Sequence, residues 1–267
     1  MTTYESSLLS NRTLGWRMGL RNMLAKENFA WWRTRRWWIQ ILVAVLILNG
    51  TLALNLNGGQ RADTAGLTFL SIAALCVPVA AISLAQDSIL GERHSGTAAW
   101  VLSKPLRRPA FILAKLIANG LNLLVAWVVL PGAMAYLQLT AKGLTRLSAL
   151  DFAGAMGLVY LNLLFYLTFA MMLATLFNGR GAVLGITMLV LLSGPMQFIA
   201  QPMQQYAPWL ATVMPWRLMM PIGNYTALAP FLALGQPLPT VTPIIATVLW
   251  CVLFVVVAIW RFRREEF

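Results

Sequence analysis

Long apolar runs separated by short polar stretches dominate the pattern of this chain. A bilayer core about 30 Å thick needs a helix of about 20 apolar residues to cross it, and six windows approach that length. They are Ile39–Leu56, Ala65–Gln86, Ala110–Gln138, Phe152–Phe177, Val183–Ala200 and Val241–Trp260. The pattern predicts an all-α integral membrane protein with six transmembrane helices in one domain, 1–267.

The segment 12–38, before the first window, has basic residues too often for a span. Trp16, Leu20, Met23 and Leu24 follow the i, i+4, i+7, i+8 spacing of an apolar helical stripe. We predict an amphipathic helix on the membrane surface, with an anchor at its end. The anchor residues are Arg33, Arg35, Arg36, Trp37 and Trp38. The helix is either a plain juxtamembrane anchor or also a contact for a cytoplasmic partner.

The stretch 201–240, between the fifth and sixth windows, is apolar but interrupted by proline. Proline removes a backbone donor and breaks helices, and unpaired backbone is not tolerated in lipid unless protein covers it. Short re-entrant helices that dip into the outer leaflet and are covered by the bundle satisfy both constraints.

Composition agrees with a membrane protein, since 59% of the residues are hydrophobic and 10% charged, against about 25% charged in soluble domains. The net charge of +12 therefore reports orientation rather than nucleic-acid binding, because Lys and Arg collect in cytoplasmic loops. With both termini inside, 16 of the 20 basic residues are cytoplasmic. The sequence predicts a multi-pass protein of the cell inner (cytoplasmic) membrane with both termini in the cytoplasm.

Several kinds of chemistry are missing from the sequence. No lysine lies in a G-x-x-x-x-G-K-[ST] phosphate loop, and His94 is the only histidine, which gives no metal or hydrolase centre. Ionisable residues occur only near the ends of the spans, as at Asp87, Lys115 and Asp151. Because ionisable residues inside spans mark proton and ion pathways, this argues against a proton-coupled carrier and a membrane-embedded enzyme.

One polar, basic stretch, Asp87–Lys115, interrupts the apolar pattern. The loop 87–109 contains Glu92-Arg93, Gly96-Thr97, an apolar turn from Ala98 to Leu102, then Ser103, Pro105 and the pair Arg107-Arg108, with Lys115 in the next span. Ser95 or Thr97 can cap a short helix that Pro105 ends. A basic loop that only enforces topology would explain the charges but not this order of residues.

This pattern resembles the loop after the second span in permease subunits of ABC-2 type transporters, with a type V exporter-like fold, a group that includes drug, antibiotic and polysaccharide exporters. The preceding amphipathic helix, the six spans and the broken helices before the sixth span resemble that family too. The resemblance implies that the loop forms a coupling helix that docks into a cytoplasmic ABC ATPase. The coupling residues would be Glu92, Arg93, Gly96, Thr97, Trp100, Leu102, Pro105, Arg107 and Arg108.

The resemblance also implies the partners: two ATPase subunits per transporter, a second permease copy or a sister permease, and membrane lipid. No cofactor would be bound by this chain, since ATP and Mg would bind on the ATPase subunit. A substrate path at the interface of the two permeases would draw on the first, second and fifth spans. Its candidate residues are Asn49, Thr51, Phe69 and Thr187.

The function expected from these features is export of an amphiphilic or lipid-like substrate, because the spans carry few polar groups. A second class stays open, a non-transporting assembly, immunity or sensory component that docks a cytoplasmic ATPase.

Overall fold

The computed structural model describes residues 19–96, 107–143, 148–194, 205–222 and 225–264. Ten helices have both ends within these residues, and no strand occurs among the described residues. The helices are α1 (Leu20–Arg33), α2 (Trp37–Asn57), α3 (Ala62–His94), α4 (Arg108–Ala141), α5 (Ala149–Leu176), α6 (Arg180–Ser193), α7 (Pro208–Val213), α8 (Trp216–Met219), α9 (Leu228–Ala233) and α10 (Thr242–Arg263).

Five helices, α2, α3, α4, α5 and α10, are long and apolar enough to cross a membrane. The helix α6 is apolar but has only 14 residues. Since 195–200 lie outside the described residues, a count of six spans stays a prediction. The all-helical membrane architecture itself is confirmed.

Two of the long helices contain a π-helical segment, Val45–Asn49 in α2 and Leu124–Val129 in α4. Such segments are inserted turns that redirect side chains and are enriched at functional sites. Hydrophobic periodicity does not reveal them, because the apolar residues continue through both segments.

The helix α3 runs through His94, eight residues past the predicted end of the second apolar window. Its 33 residues extend about 50 Å at 1.5 Å per residue, well beyond a hydrocarbon core of about 30 Å. Hydropathy marks only the part of a helix that lies in lipid, whereas the hydrogen-bonded backbone continues into the headgroup region. Asp87–His94, expected in the loop, are therefore helical.

The centre of the bundle is α5, which packs mainly against α3 and α10. Both faces of this helix are apolar and much of it is buried, including Tyr166, Phe165 and Leu163. The outer faces of α2 and α10 are exposed, and in α10 large apolar side chains recur at Ile245, Leu249, Val252 and Val256. An apolar face of this kind suits contact with lipid.

The helix α1 packs along α4. Met23 from the predicted apolar stripe is buried, while Leu20 and Leu24 lie partly buried against the core. Trp16 lies outside the described residues. The stripe thus faces protein, so α1 is held by the bundle as well as by any membrane surface.

Three short helices, α7, α8 and α9, occupy part of the stretch 201–240. In α8 all four residues are buried, and Trp216 donates its indole N–H to the backbone oxygen of Val190 at 2.8 Å. The bundle therefore covers this short helix. Whether the short helices re-enter a membrane stays a prediction.

Candidate functional site

Four segments that are distant in sequence meet at one end of the bundle, which we call the charged end. They are α1, the end of α3 with the start of α4, the turn between α5 and α6, and the last turn of α10. Arg180 lies 3.5 Å from the Asp87 carboxylate, and Arg108 donates to the backbone oxygen of Arg263 at 2.7 Å.

At the opposite end, Lys142 donates to the side chain of Asn57 at 3.1 Å. This hydrogen bond joins two loops that are predicted to lie on the same, outer side of the membrane.

Arg93 and His94 join the end of α3 to the end of α5. The Arg93 guanidinium donates to the backbone oxygen of Ala174 at 2.8 Å and to the Asn178 side chain at 3.4 Å. The His94 ring lies 3.1 Å from the backbone oxygen of Asn178. The last carbonyls of a helix lack intrahelical partners, so Arg93 satisfies the C-terminus of α5.

We expect Arg93→Ala to lower the free energy of unfolding by about 1.5 kcal/mol, the contribution of a hydrogen bond that involves a charged group. Thermal unfolding of the purified chain in detergent would measure it. Arg35→Ala is the matched control, because Arg35 is an exposed arginine; equal stability losses in both variants would contradict a capping role for Arg93.

The predicted coupling residues are only partly described. The helix α3 is followed by Gly96 in a left-handed conformation (φ 69°), which glycine adopts without steric cost. Thr97, Trp100, Leu102 and Pro105 lie outside the described residues. Arg107 and Arg108 stand at the start of α4, with Pro109 in its first turn, where proline is favoured.

The Glu92 side chain points toward α1 and α4. Its carboxylate lies 3.0 Å from the Lys115 ammonium, which also lies 3.2 Å from Glu27 of α1. Lys115 is only 2% exposed, and Glu27 and Glu92 are 19% and 18% exposed. Lys26 lies at the rim, 49% exposed and 3.7 Å from Glu92. A role for Glu92 in ATPase coupling stays a prediction, and its contacts in the structure are with this buried ionic cluster.

A cavity of about 350 Å³ adjoins this ionic cluster, between α1, α3 and α4. Its polar lining includes Asp87, Ser88, Asn119 and Asn122 besides the cluster. The Glu92 Oε2 and Asn119 Nδ2 atoms are buried without a hydrogen-bond partner among the described residues. Both residues line the cavity, so an acceptor and a donor without a partner among the described residues lie at its wall.

Sequence reasoning missed Glu27 and Asn119 as parts of a site. A signal was present, because Lys115, Asn119 and Asn122 recur at i, i+4 and i+7, which places three polar side chains on one face of an otherwise apolar helix. The partner Glu27, 88 residues away, could not be assigned without the packing of α1 on α4.

The candidate substrate-path residues are separate from this cavity. Phe69 and Thr187 have no exposed surface, and Thr51 and Thr187 donate their hydroxyls to backbone oxygens of their own helices. Asn49, in the π-helical segment of α2, is buried with neither side-chain polar atom bonded to a described residue. A path along these residues stays a prediction, and it would need another conformation to open at Phe69 and Thr187.

The predicted membrane anchor lies at the junction of α1 and α2. Arg33, Arg35 and Trp38 are exposed and Trp37 is partly buried, with its ring 5.4 Å from that of Trp32. The Arg36 side chain lies outside what the structure describes. Exposed arginine and tryptophan side chains together suit the headgroup layer of a membrane.

Comparison with known proteins agrees with the resemblance drawn from the loop. The family described as "ABC-2 family transporter protein" matches residues 4–267. The probable ABC transporter permease protein NosY of Stutzerimonas stutzeri is 26% identical over 214 residues, which are 74% of this chain and 76% of that protein. The protein of the same description from Pseudomonas aeruginosa is 30% identical over 122 residues, 42% and 43% of the two chains. With its five membrane-length helices and a family match along nearly its whole length, this integral membrane protein belongs to the ABC-2 family of transporter proteins.

Proposed function

We propose that this chain is the transmembrane permease subunit of an ATP-binding cassette exporter. It would move an amphiphilic or lipid-like substrate out of the cytoplasm, using ATP hydrolysed with Mg on a separate subunit. Two ATPase subunits and a second permease, identical or sister, would complete the transporter. The charged end would face the cytoplasm of a cell with the chain in its inner membrane.

The observation that carries the proposal is how the ends of the α3–α4 connection are attached. On one side Arg93 and His94 bind the end of α5, and on the other Arg108 binds the backbone at the end of α10. A displacement of residues 97–106 by the ATPase would thus be transmitted directly to α3, α4, α5 and α10. A loop that serves only as a topology signal needs no such attachments.

The proposed substrate class follows from the apolar surfaces of α2, α3 and α10. The exposed faces of α2 and α10 are apolar, and a groove between α2 and α3 is lined mainly by Ile39, Val43, Leu75 and Val79. Such surfaces contact acyl chains or other apolar groups at little cost in desolvation. They favour an amphiphile over a hydrophilic ion.

The coupling role can be tested at the apolar turn of the loop. We expect the double variant Trp100→Ser, Leu102→Ser to weaken binding of the ABC ATPase subunit at least about tenfold, because buried aromatic and apolar anchors dominate the free energy of such interfaces. Affinity between the purified permease in detergent and its ATPase, found by co-purification, would measure the change.

The matched control is Leu150→Ser, which alters an exposed leucine in the first turn of α5, at the end predicted to lie on the other side of the membrane. It should bind the ATPase as the unchanged chain does. Unchanged affinity in the double variant would remove the coupling role from this loop.

Transport is distinguished from a non-transporting docking role by ATP turnover in liposomes. With a permease, ATPase activity should depend on an amphiphilic substrate. The double variant Trp100→Ser, Leu102→Ser should lose that dependence. ATPase activity that no amphiphile alters, despite an intact complex, would favour the assembly, immunity or sensory role.

A further inference from the structure

The cavity at the charged end has an unbalanced charge in its buried part. Two carboxylates, those of Glu27 and Glu92, share the single buried ammonium of Lys115, at 3.2 Å and 3.0 Å. The second ammonium, that of Lys26, is half exposed and lies 4.0 Å and 3.7 Å from the same two residues, so water screens it. Burial of a carboxylate is costly unless it is paired and hydrogen-bonded, so the buried cluster favours one more positive group.

The remaining charges near the cavity do not supply that group. The Asp87 carboxylate, which also lines the cavity, is paired with Arg180 at 3.5 Å, and both side chains are more than half exposed. The neutral Ser88 hydroxyl cannot hydrogen-bond to the carboxylates as a donor either, because its proton is donated to the backbone oxygen of Ala85 at 2.8 Å. Besides Lys26 and Lys115, no cation among the described residues is paired with Glu27 or Glu92, so a bound ligand can supply one.

Two atoms indicate what such a ligand would carry. Glu92 Oε2 needs a donor, and Asn119 Nδ2, on a side chain only 7% exposed, needs an acceptor. A ligand with an N–H cation at one end and an anionic or neutral oxygen at the other meets both needs. At about 350 Å³, the cavity is more than ten times the volume of one water molecule, about 30 Å³.

The depth of the cavity points to a lipid headgroup. It lies near the last turn of α3 and about 10 Å along α4, counting 1.5 Å per residue from Arg108 to Lys115, in helices that exceed the thickness of the hydrocarbon core. Trp31 lines it, and Trp32, Trp37 and Trp38 follow in the chain. Tryptophan at this density is typical of the headgroup level.

We propose that this cavity binds the primary ammonium of an aminoethyl phosphate group, as in the headgroup of phosphatidylethanolamine. The ammonium donates to Glu92 Oε2 and balances the second carboxylate, and a phosphate or ester oxygen accepts from Asn119 Nδ2. A choline headgroup has no N–H to donate, so the site discriminates against it. Binding at this site is measured without the ATPase, so a failure of this proposal is distinguishable from a failure of the proposed coupling role.

The experiment uses the full chain, purified in detergent and stripped of lipid, with bound phospholipid measured by native mass spectrometry. Phosphatidylethanolamine should be retained about tenfold more than phosphatidylcholine, the preference expected from one hydrogen bond to a charged group. Its N-methyl and N,N-dimethyl derivatives should give intermediate values. Equal retention across this series would overturn the proposal without any variant being needed.

Two variants test whether the preference for phosphatidylethanolamine over phosphatidylcholine arises at this cavity. Glu92→Gln, which removes the unbalanced charge but keeps the size of the side chain, should abolish it, and Asn119→Leu should reduce it. Asp63→Asn is the control, because Asp63 is a carboxylate of an ion pair at the opposite end, 3.0 Å from Arg61. A preference that survives in Glu92→Gln would place the binding site elsewhere.

A competition experiment distinguishes a soluble aminoethyl phosphate compound from a membrane lipid as the ligand. Soluble glycerophosphoethanolamine that displaces the lipid at millimolar concentration would show that the headgroup alone is recognised. If only the diacyl lipid binds, the chains contribute as well and the ligand is a membrane lipid.

Discussion

Replacement of Lys115 by methionine is expected to lower the free energy of unfolding by about 3–5 kcal/mol, the cost of leaving a buried charge unpaired. The Lys115 ammonium is the group nearest to the carboxylates of both Glu27 and Glu92. Methionine replaces the unbranched apolar stem of lysine and lacks only its terminal ammonium, so the loss reports mainly the charge. The ring of Phe111, 5.1 Å from the ammonium, loses a cation–π contact in addition.

Chemical unfolding in detergent, followed by tryptophan fluorescence, would measure this loss. Lys142→Met is the control, since Lys142 is an exposed lysine just past the other end of α4. In a background of Glu27→Gln and Glu92→Gln, the Lys115→Met change should cost far less, because residues of one ionic network are not additive. A cost that is the same in both backgrounds would mean that Lys115 stabilises the fold by packing alone.

Gly194→Ala is expected to cost about 2–3 kcal/mol, in the range for overpacking a filled core. A Cβ at this position would lie 2.5 Å from Cγ and 2.6 Å from Cδ1 of Trp216. The indole cannot easily withdraw, because it is buried and held by its bond to the Val190 oxygen at 2.8 Å. Since the backbone of Gly194 has an ordinary helical conformation (φ −65°), the cost arises from space and not from backbone strain.

The control for this variant is Gly185→Ala in α6, the helix that Gly194 caps, where a Cβ would meet nothing within 4 Å. Alanine there should be neutral or slightly stabilising, because it is the better helix former. In a Trp216→Ala background the cost of Gly194→Ala should vanish. If it persists there, the clash with the indole is not its cause.

Arg93 and Glu92 show which properties of a residue the sequence predicts and which depend on the packing of the helices. Arg93 stands out in the sequence as a loop arginine, but its role as a cap for α5 depends on a residue 81 positions away. Glu92 is predicted to be a coupling residue because the loop resembles that of ABC-2 permeases. The extra turns of α3 and the approach of α1 turn it inward, and no local pattern contains that information.

What the sequence by itself determined is the class of the protein and the order of its apolar helices. Lipid requires every buried backbone group to be bonded within its own segment, so apolar length alone specifies where such helices form. The match of the family along the chain agrees with the resemblance read from Glu92 to Lys115. Only the tertiary structure decided which polar groups meet. The Glu27, Glu92 and Lys115 cluster and its cavity exist because α1 packs on α4 beside the end of α3, and contacts between residues so far apart follow from helix packing rather than from any periodicity along the chain.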